Sequence, residues 1–205
     1  MSRARLFPMT SWLGCCLLVA CGTSPATHYY ALQAMVPAAS PAGALSAPSN
    51  QIVVRLEPVV IPPELDRLEL VTRSGPYRVH ISDSDRWAAP LEEQIRRTLS
   101  DDLSARLPPR LVADPNEPAG NEPRRLLTVA ISQFDADATC AVTLRADWTL
   151  RAPNADSQRG VEELKSAGVG ACAEGIPAAM SVALAELADR LAAVLEPPAG
   201  AGATP

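Results

Sequence analysis

Residues 140–151 read Cys140-Ala141-Val142-Thr143-Leu144-Arg145-Ala146-Asp147-Trp148-Thr149-Leu150-Arg151. In an extended chain Cys140, Val142, Leu144, Ala146, Trp148 and Leu150 fall on one face. Ala141, Thr143, Arg145, Asp147, Thr149 and Arg151 fall on the other. Side chains alternate across a strand, so one face is buried and one is wet, which is how antiparallel sheets read. Leu126 to Phe134 precede it as a second strand, with Asp135-Ala136-Asp137-Ala138 as the hairpin connection. Arg159 to Lys165 reads as a third.

Upstream, Ile52 to Leu56 alternates as a strand with Ile52, Val54 and Leu56 on one face. Pro58, Pro62 and Pro63 then interrupt regular pairing, leaving Val59-Val60-Ile61 as an edge segment at most. Leu68 to Arg73, turned at Ser74-Gly75-Pro76, meets Tyr77 to Ile81 as a hairpin, with Leu68, Leu70 and Thr72 facing inward. Two helices complete the pattern. Leu91, Ile95, Leu99, Leu103 and Leu107 recur every four residues after Trp87-Ala88-Ala89-Pro90, forming an apolar stripe. Glu92, Glu93, Arg96, Arg97, Asp101 and Asp102 fill the opposite face. The second helix starts near Pro177, with Ile176, Met180, Leu184, Leu187, Leu191 and Leu195 as its stripe. The order of strands, helix, strands, helix predicts an α+β fold: a mostly antiparallel sheet with two amphipathic helices packed on one face.

At the N-terminus, Arg3 and Arg5 precede a short apolar run that ends in Leu18-Val19-Ala20-Cys21. The run is too short to span a bilayer. Its residue order is that of a bacterial lipoprotein signal, in which the final cysteine carries a thioether-linked lipid; the alternative is an ordinary secretory signal or a short anchor helix, with Cys21 incidental. Gly22 follows Cys21. Aspartate there is the usual inner-membrane retention signal in enteric bacteria, so the expected location is the outer membrane, on its periplasmic face. The expected organisation is a signal peptide over 1–20, a short lipid leash over 21–28, one α+β domain over 29–195 and a disordered tail over 196–205. Residues 33–50 are a Pro/Ala-rich loop within the domain. Loss of Arg3 and Arg5 with the leader leaves 16 basic residues against 23 acidic ones, a formal charge of −7. That acidity argues against a nucleic-acid partner.

Cys15 and Cys16 leave with the leader, and Cys21 is consumed by lipid. An exported domain that keeps Cys140 and Cys172 invites a disulfide. The alternative is two separate buried thiols. Neither His28 nor His80 has a cysteine or second histidine at ligand spacing, so no metal site is expected. His80-Ile81-Ser82-Asp83 holds the residue types of a hydrolytic triad, but without a nucleophile elbow. Asp83 and Asp85 lack the other ligands of a calcium loop, and read as turn and helix-capping residues before Trp87. No catalytic residue and no cofactor are expected.

Several segments together resemble the ABC-type transport auxiliary lipoproteins, the PqiC family. They are Tyr29-Tyr30-Ala31-Leu32, Val59-Val60-Ile61-Pro62-Pro63-Glu64-Leu65-Asp66-Arg67, Leu70-Val71-Thr72-Arg73 and Asp85-Arg86-Trp87-Ala88-Ala89-Pro90-Leu91. Tyr30, Leu65, Asp66, Arg67, Trp87, Pro90 and Leu91 are the motif positions, with structural or partner-contact roles. The insert from Ala34 to Asn50 and the Cys140/Cys172 pair depart from the family pattern. The resemblance implies an outer-membrane dock for an MCE-domain protein whose stacked rings form a lipid tunnel between the two membranes. It implies no catalysis, and no group beyond the lipid on Cys21. Some members assemble into homo-oligomeric rings, and the resemblance leaves that open here. It also makes Tyr29 to Leu32 the first strand, which shortens the leash. The competing function class is a structural assembly lipoprotein, pilotin-like or an envelope scaffold.

Overall fold

The computed structural model describes residues 25–37, 53–108, 111–114, 124–153, 155–168, 170 and 172–195. Cys21 and the leader, most of the 33–50 loop, the polar loop after Asp114 and the tail from 196 lie outside them. The strands are β1 (His28–Tyr30), β2 (Val54–Leu56), β3 (Glu69–Gly75), β4 (Arg78–Trp87), β5 (Arg125–Ala136), β6 (Val142–Arg151) and β7 (Gln158–Ser166). The helices are α1 (Leu91–Arg106), which follows β4, and α2 (Cys172–Leu195), which follows β7.

All seven strands join one sheet in the order β1-β4-β3-β5-β6-β7, with β2 paired to β5 off this path. The β3–β4, β5–β6 and β6–β7 pairs are antiparallel. The β1–β4, β2–β5 and β3–β5 pairs are parallel. The fold is α+β as expected, but the sheet is mixed. The parallel pairs join segments far apart in sequence, and single-strand alternation carries no sign of such a partner.

The β6 pattern holds: its even-numbered residues are buried, while Arg145, Asp147 and Arg151 are exposed. In β5 a register shift between Ile131 and Gln133 changes the parity. Leu127, Val129 and Ile131 are buried before it, Phe134 and Ala136 after it. An extra residue in one strand turns the following side chains to the other face, so both halves of β5 reach the same core. A second shift, between Glu69 and Val71, corrects the expected face of β3. Leu70 and Val71 are both buried and Leu68 is 44% exposed.

Helix α1 uses its Leu/Ile stripe as read: Leu91, Ile95, Leu99 and Leu103 are buried. Helix α2 begins five residues before Pro177. Proline at that depth forgoes one i→i−4 hydrogen bond and crowds the carbonyl of Ala173, and the turn before it carries the Cys140–Cys172 disulfide, whose Cα atoms are 5.4 Å apart. The two helices pack on each other, and α2 also contacts β6 and β7. At the other end of α2, Arg125 Nη1 donates to the Leu195 carbonyl at 3.0 Å, where a cation suits the helix dipole. Burial pushes the Arg125 pKa down from its usual value.

Cys140 sits in the β5–β6 turn rather than in the strand, with φ of 64°. Asp137 organises that turn. Its Oδ1 accepts from the Thr139 N–H and hydroxyl and from the Ala141 N–H. A Cβ on Gly168 would collide with the Cys140 carbonyl, so the chain leading to Cys172 approaches this turn because residue 168 is glycine. The bond joins residues 32 apart. Its reduction, or the double change Cys140→Ala/Cys172→Ala, is expected to remove roughly 3–4 kcal/mol by the chain-entropy argument. Urea melts with and without reductant measure this, and a loss below about 1 kcal/mol would show that the bond barely restrains the unfolded chain.

Candidate functional site

The motif positions split into a buried group and a surface group. Trp87 ends β4 and is 3% exposed. Its N–H donates to the Leu68 carbonyl at 2.6 Å, and the next N–H, of Ala88, donates to the Tyr30 carbonyl at 2.8 Å. β1 is thereby stitched, parallel, to the end of β4, with Tyr30 opposite Trp87. Leu65, Trp87 and Leu91 come together around a void of only ≈ 10 Å³, with Val71, Phe134 and Met180 closing it. Three separate stretches of the motif thus meet at one packing point. Proteins fill such centres to crystal density, and Glu69 is the one charged residue among those that line it.

Asp66, Arg67 and Pro90 lie around that centre. Pro63–Leu65 is one 3-10 turn, closed by Asp66, whose N–H donates to the Pro63 carbonyl at 3.3 Å. The Arg67 N–H donates to Leu65 O at 2.8 Å, so both residues fix the bend after Pro63 through their backbone. The Asp66 side chain points to solvent, and Pro90 is exposed at the start of α1. Pro90 carries no side-chain cap, and neither does Asp85 supply one. The expectation of a capping aspartate is corrected: Asp85 lies inside β4 and acts there. Its Oδ2 accepts from Ser82 Oγ at 2.8 Å and its Oδ1 from Tyr30 Oη at 3.4 Å, with His28 Nδ1 at 3.3 Å. Burial, then the Asp85 charge and hydrogen bond, raise the Tyr30 pKa. Only Tyr30 of the two tyrosines packs on the body; Tyr29 is 66% exposed.

Ser82 is thus committed to a carboxylate, while His80 and Asp83 are exposed. The triad-like residue types therefore do not converge on a base–nucleophile pair. Among the described residues no group of three or more His, Cys, Asp or Glu is placed to hold a metal ion. Also among them, no helix is long and apolar enough to cross a membrane.

The residues that sequence reading missed hold the segment after β1. Residues 31–37 run as an extended strap over the helix pair. Leu32 is buried, and its N–H donates to Gln94 Oε1 at 3.0 Å. Gln94 Nε2 donates in turn to the Ala89 carbonyl at 2.8 Å. The Gln33 N–H donates to Ser181 Oγ at 3.0 Å, and that hydroxyl donates to Pro177 O at 2.8 Å. The Met35 N–H donates to Asp102 Oδ1 at 2.8 Å, and Arg106 Nη1 reaches Met35 O at 3.2 Å. Asp102 is corrected from the wet face of α1 to the interior: its side chain is 0% exposed, and its partner Arg106 is 7% exposed at 3.1 Å. Burial raises the Asp102 pKa, although the Met35 N–H and Arg106 both oppose this. The one sign in the sequence is the Asp-to-Arg spacing of four. Between strap and α1 lies an open groove of ≈ 510 Å³, walled by Ala31, Ala34, Ala88 and Ala89 and rimmed by Glu93, Arg97 and Asp101.

A mixed sheet under a helix pair, with a short N-terminal strand and strap tied across it, is a fold seen before. A crystal structure of an uncharacterised protein superimposes with a TM-score of 0.65 at 22% identity, covering 84% of this chain and 100% of that one. A crystal structure of a Xanthomonas campestris protein gives 0.57 at 16% identity, covering 80% and 92%. At these identities the likeness concerns the fold. The family model for the ABC-type transport auxiliary lipoprotein component matches residues 30–192, and the chain belongs to that family. Over 95 residues it is 30% identical to the intermembrane transport lipoprotein PqiC of Escherichia coli K12, and equally to that of Shigella flexneri. The match covers 46% of this chain and 49% of either relative, so the chain spans about half the length of the curated relatives it matches.

Proposed function

We propose that this protein is the outer-membrane-anchored, periplasm-facing docking subunit of an MCE-type intermembrane lipid-transport system, and that it acts without catalysis. The observation that carries the reading is the family match over residues 30–192, which starts nine residues after the lipobox cysteine Cys21. The relatives named as intermembrane transport lipoproteins support the same role. In this reading Cys21 carries the lipid, and residues 22–27 are the leash into β1. A diacylated and amide-acylated cysteine makes dissociation negligible, since two or more chains already anchor stably.

The full-length protein, extracted from its native envelope in mild detergent after in-cell crosslinking, is expected to co-isolate with an MCE-domain protein. Recovery with cell-wall or secretion components and no MCE-domain protein would replace this reading with that of an envelope scaffold or assembly lipoprotein.

A further inference from the structure

We infer that the tip of the β3–β4 hairpin is a membrane-contacting surface, which sets Tyr77 and Val79 into the headgroup region of the bilayer that holds the Cys21 lipid. The inference rests on the lipid-anchored reading above and adds the face that meets the lipid surface.

Three observations converge. First, the hairpin projects from the sheet. β3 is paired to β5 only at Thr72–Ala136, and β1 covers β4 only from Asp85 to Trp87. The stretch from Ser74 to Ser82 is therefore paired only to its own partner strand, while Arg73 is tied to Asp135 of β5. Tyr77 at the turn is 100% exposed, and Val79 and Ile81 are 42% and 40% exposed. A two-stranded ribbon with apolar residues on an open edge is marginal in water and prone to wrong pairing. Second, the charge at the tip runs against that of the chain. Between Ser74 and Ser82 stand Arg78 and His80 and no carboxylate, within a mature chain of charge −7. Among the described residues Arg78 has no ion pair. A cation beside a tyrosine and valine is the composition of a bilayer interface contact.

Third, the register aims the anchor at this tip. β1 is parallel to β4, with His28 opposite Asp85, so the chain enters β1 from the hairpin-tip side. Cys21 lies seven residues before His28, and Arg78 lies seven before Asp85. Seven extended residues reach about 23 Å. The leash thus reaches the tip and little further, and a lipid on Cys21 brings Tyr77 to the membrane rather than the helix pair.

The test uses the full lipidated chain with Tyr77→Trp, reconstituted in phosphatidylethanolamine vesicles containing some phosphatidylglycerol and brominated acyl chains. The native Trp87 and Trp148 are buried, and their emission is subtracted using the parent protein. The added emission is expected to be quenched by about half, as an interfacial side chain near the acyl boundary would be. Val161→Trp, at a residue 59% exposed on the far edge strand β7, is expected to be unquenched. Adding Arg78→Glu to Tyr77→Trp is expected to cut the quenching about twofold. Quenching no greater at position 77 than at 161 overturns the inference and leaves the anchor standing, because tip contact with a protein or a second copy would protect Tyr77 without bromine reaching it. Mass spectrometry of the same sample separates the other failure: an unmodified Cys21 removes the anchor and the inference with it.

Discussion

Replacing Trp87 by alanine is expected to lower the unfolding free energy by about 3–5 kcal/mol, the range for a large aromatic cut out of a core. The indole is 3% exposed and shares one packing point with Leu65, Val71, Leu91, Phe134 and Met180. The void there is already as small as ≈ 10 Å³, so the deleted ring leaves a cavity that its neighbours can close only by moving β4 against α1. Asp66→Ala and Pro90→Ala are expected to stay within about 0.5 kcal/mol of the parent, as exposed changes do. Urea melts of the three variants rank them. Parent-like stability of Trp87→Ala would show that the motif is kept for contact with another protein rather than for packing. The same three variants sort the proposed function. If the exposed motif positions touch the partner, Asp66→Ala and Pro90→Ala lose co-isolation while their melts stay unchanged.

The sequence carried its clearest signal where neighbours in the chain are also neighbours in space. The β6 alternation and the α1 stripe each need only one element's period to be seen, and both are found as read. The faces of β3 and β5 were harder, because a single inserted residue changes parity and no residue type marks it. Leu68 looked inward by alternation and stands 44% exposed. The parallel pairs were beyond reach, since β1 meets β4 across 57 residues with only three paired positions to leave a trace. The packing centre was half visible. Trp87, Leu65 and Leu91 are each motif positions of the resemblance, but only the fold brings them together. The strap was invisible for a different reason. Its backbone is satisfied by the side chains of Gln94, Ser181, Asp102 and Arg106, and polar residues on a helix read as wet until the segment covering them is known.

Asp102→Ala is expected to cost about 1–3 kcal/mol, because it removes a buried acceptor from the Met35 N–H and from one arm of Arg106, while Arg106 keeps Asp189. Arg106 is 7% exposed, and Asp102 is also the acceptor for the Met35 N–H. Truncation leaves the Met35 N–H without its acceptor and takes one of several from Arg106, which still reaches Asp189, the Asp102 carbonyl and the Met35 carbonyl. Amide exchange at Met35 is expected to accelerate with the loss. Asp102→Asn keeps an oxygen for the Met35 N–H and is expected to cost less. The pH dependence separates packing from charge. Burial raises the Asp102 pKa above its ordinary 3.8, so the folded state holds this proton more tightly than the unfolded chain. The contribution to stability is therefore most favourable below 3.8 and declines as pH rises through the raised folded value. The parent should lose stability across that window, whereas Asp102→Asn should not show this component. Identical pH profiles for parent and Asp102→Asn, measured by urea melts from the ordinary carboxylate value upward, would show that the carboxyl is not held in the dry setting the structure gives it. A slow Met35 amide in Asp102→Ala would separately show that the strap is held elsewhere. Both results bear on the proposed membrane contact, because the strap continues β1. If its ties to α1 are weak, a pull on the leash can peel β1 from β4, and the tip is no longer held at the bilayer by chain length alone.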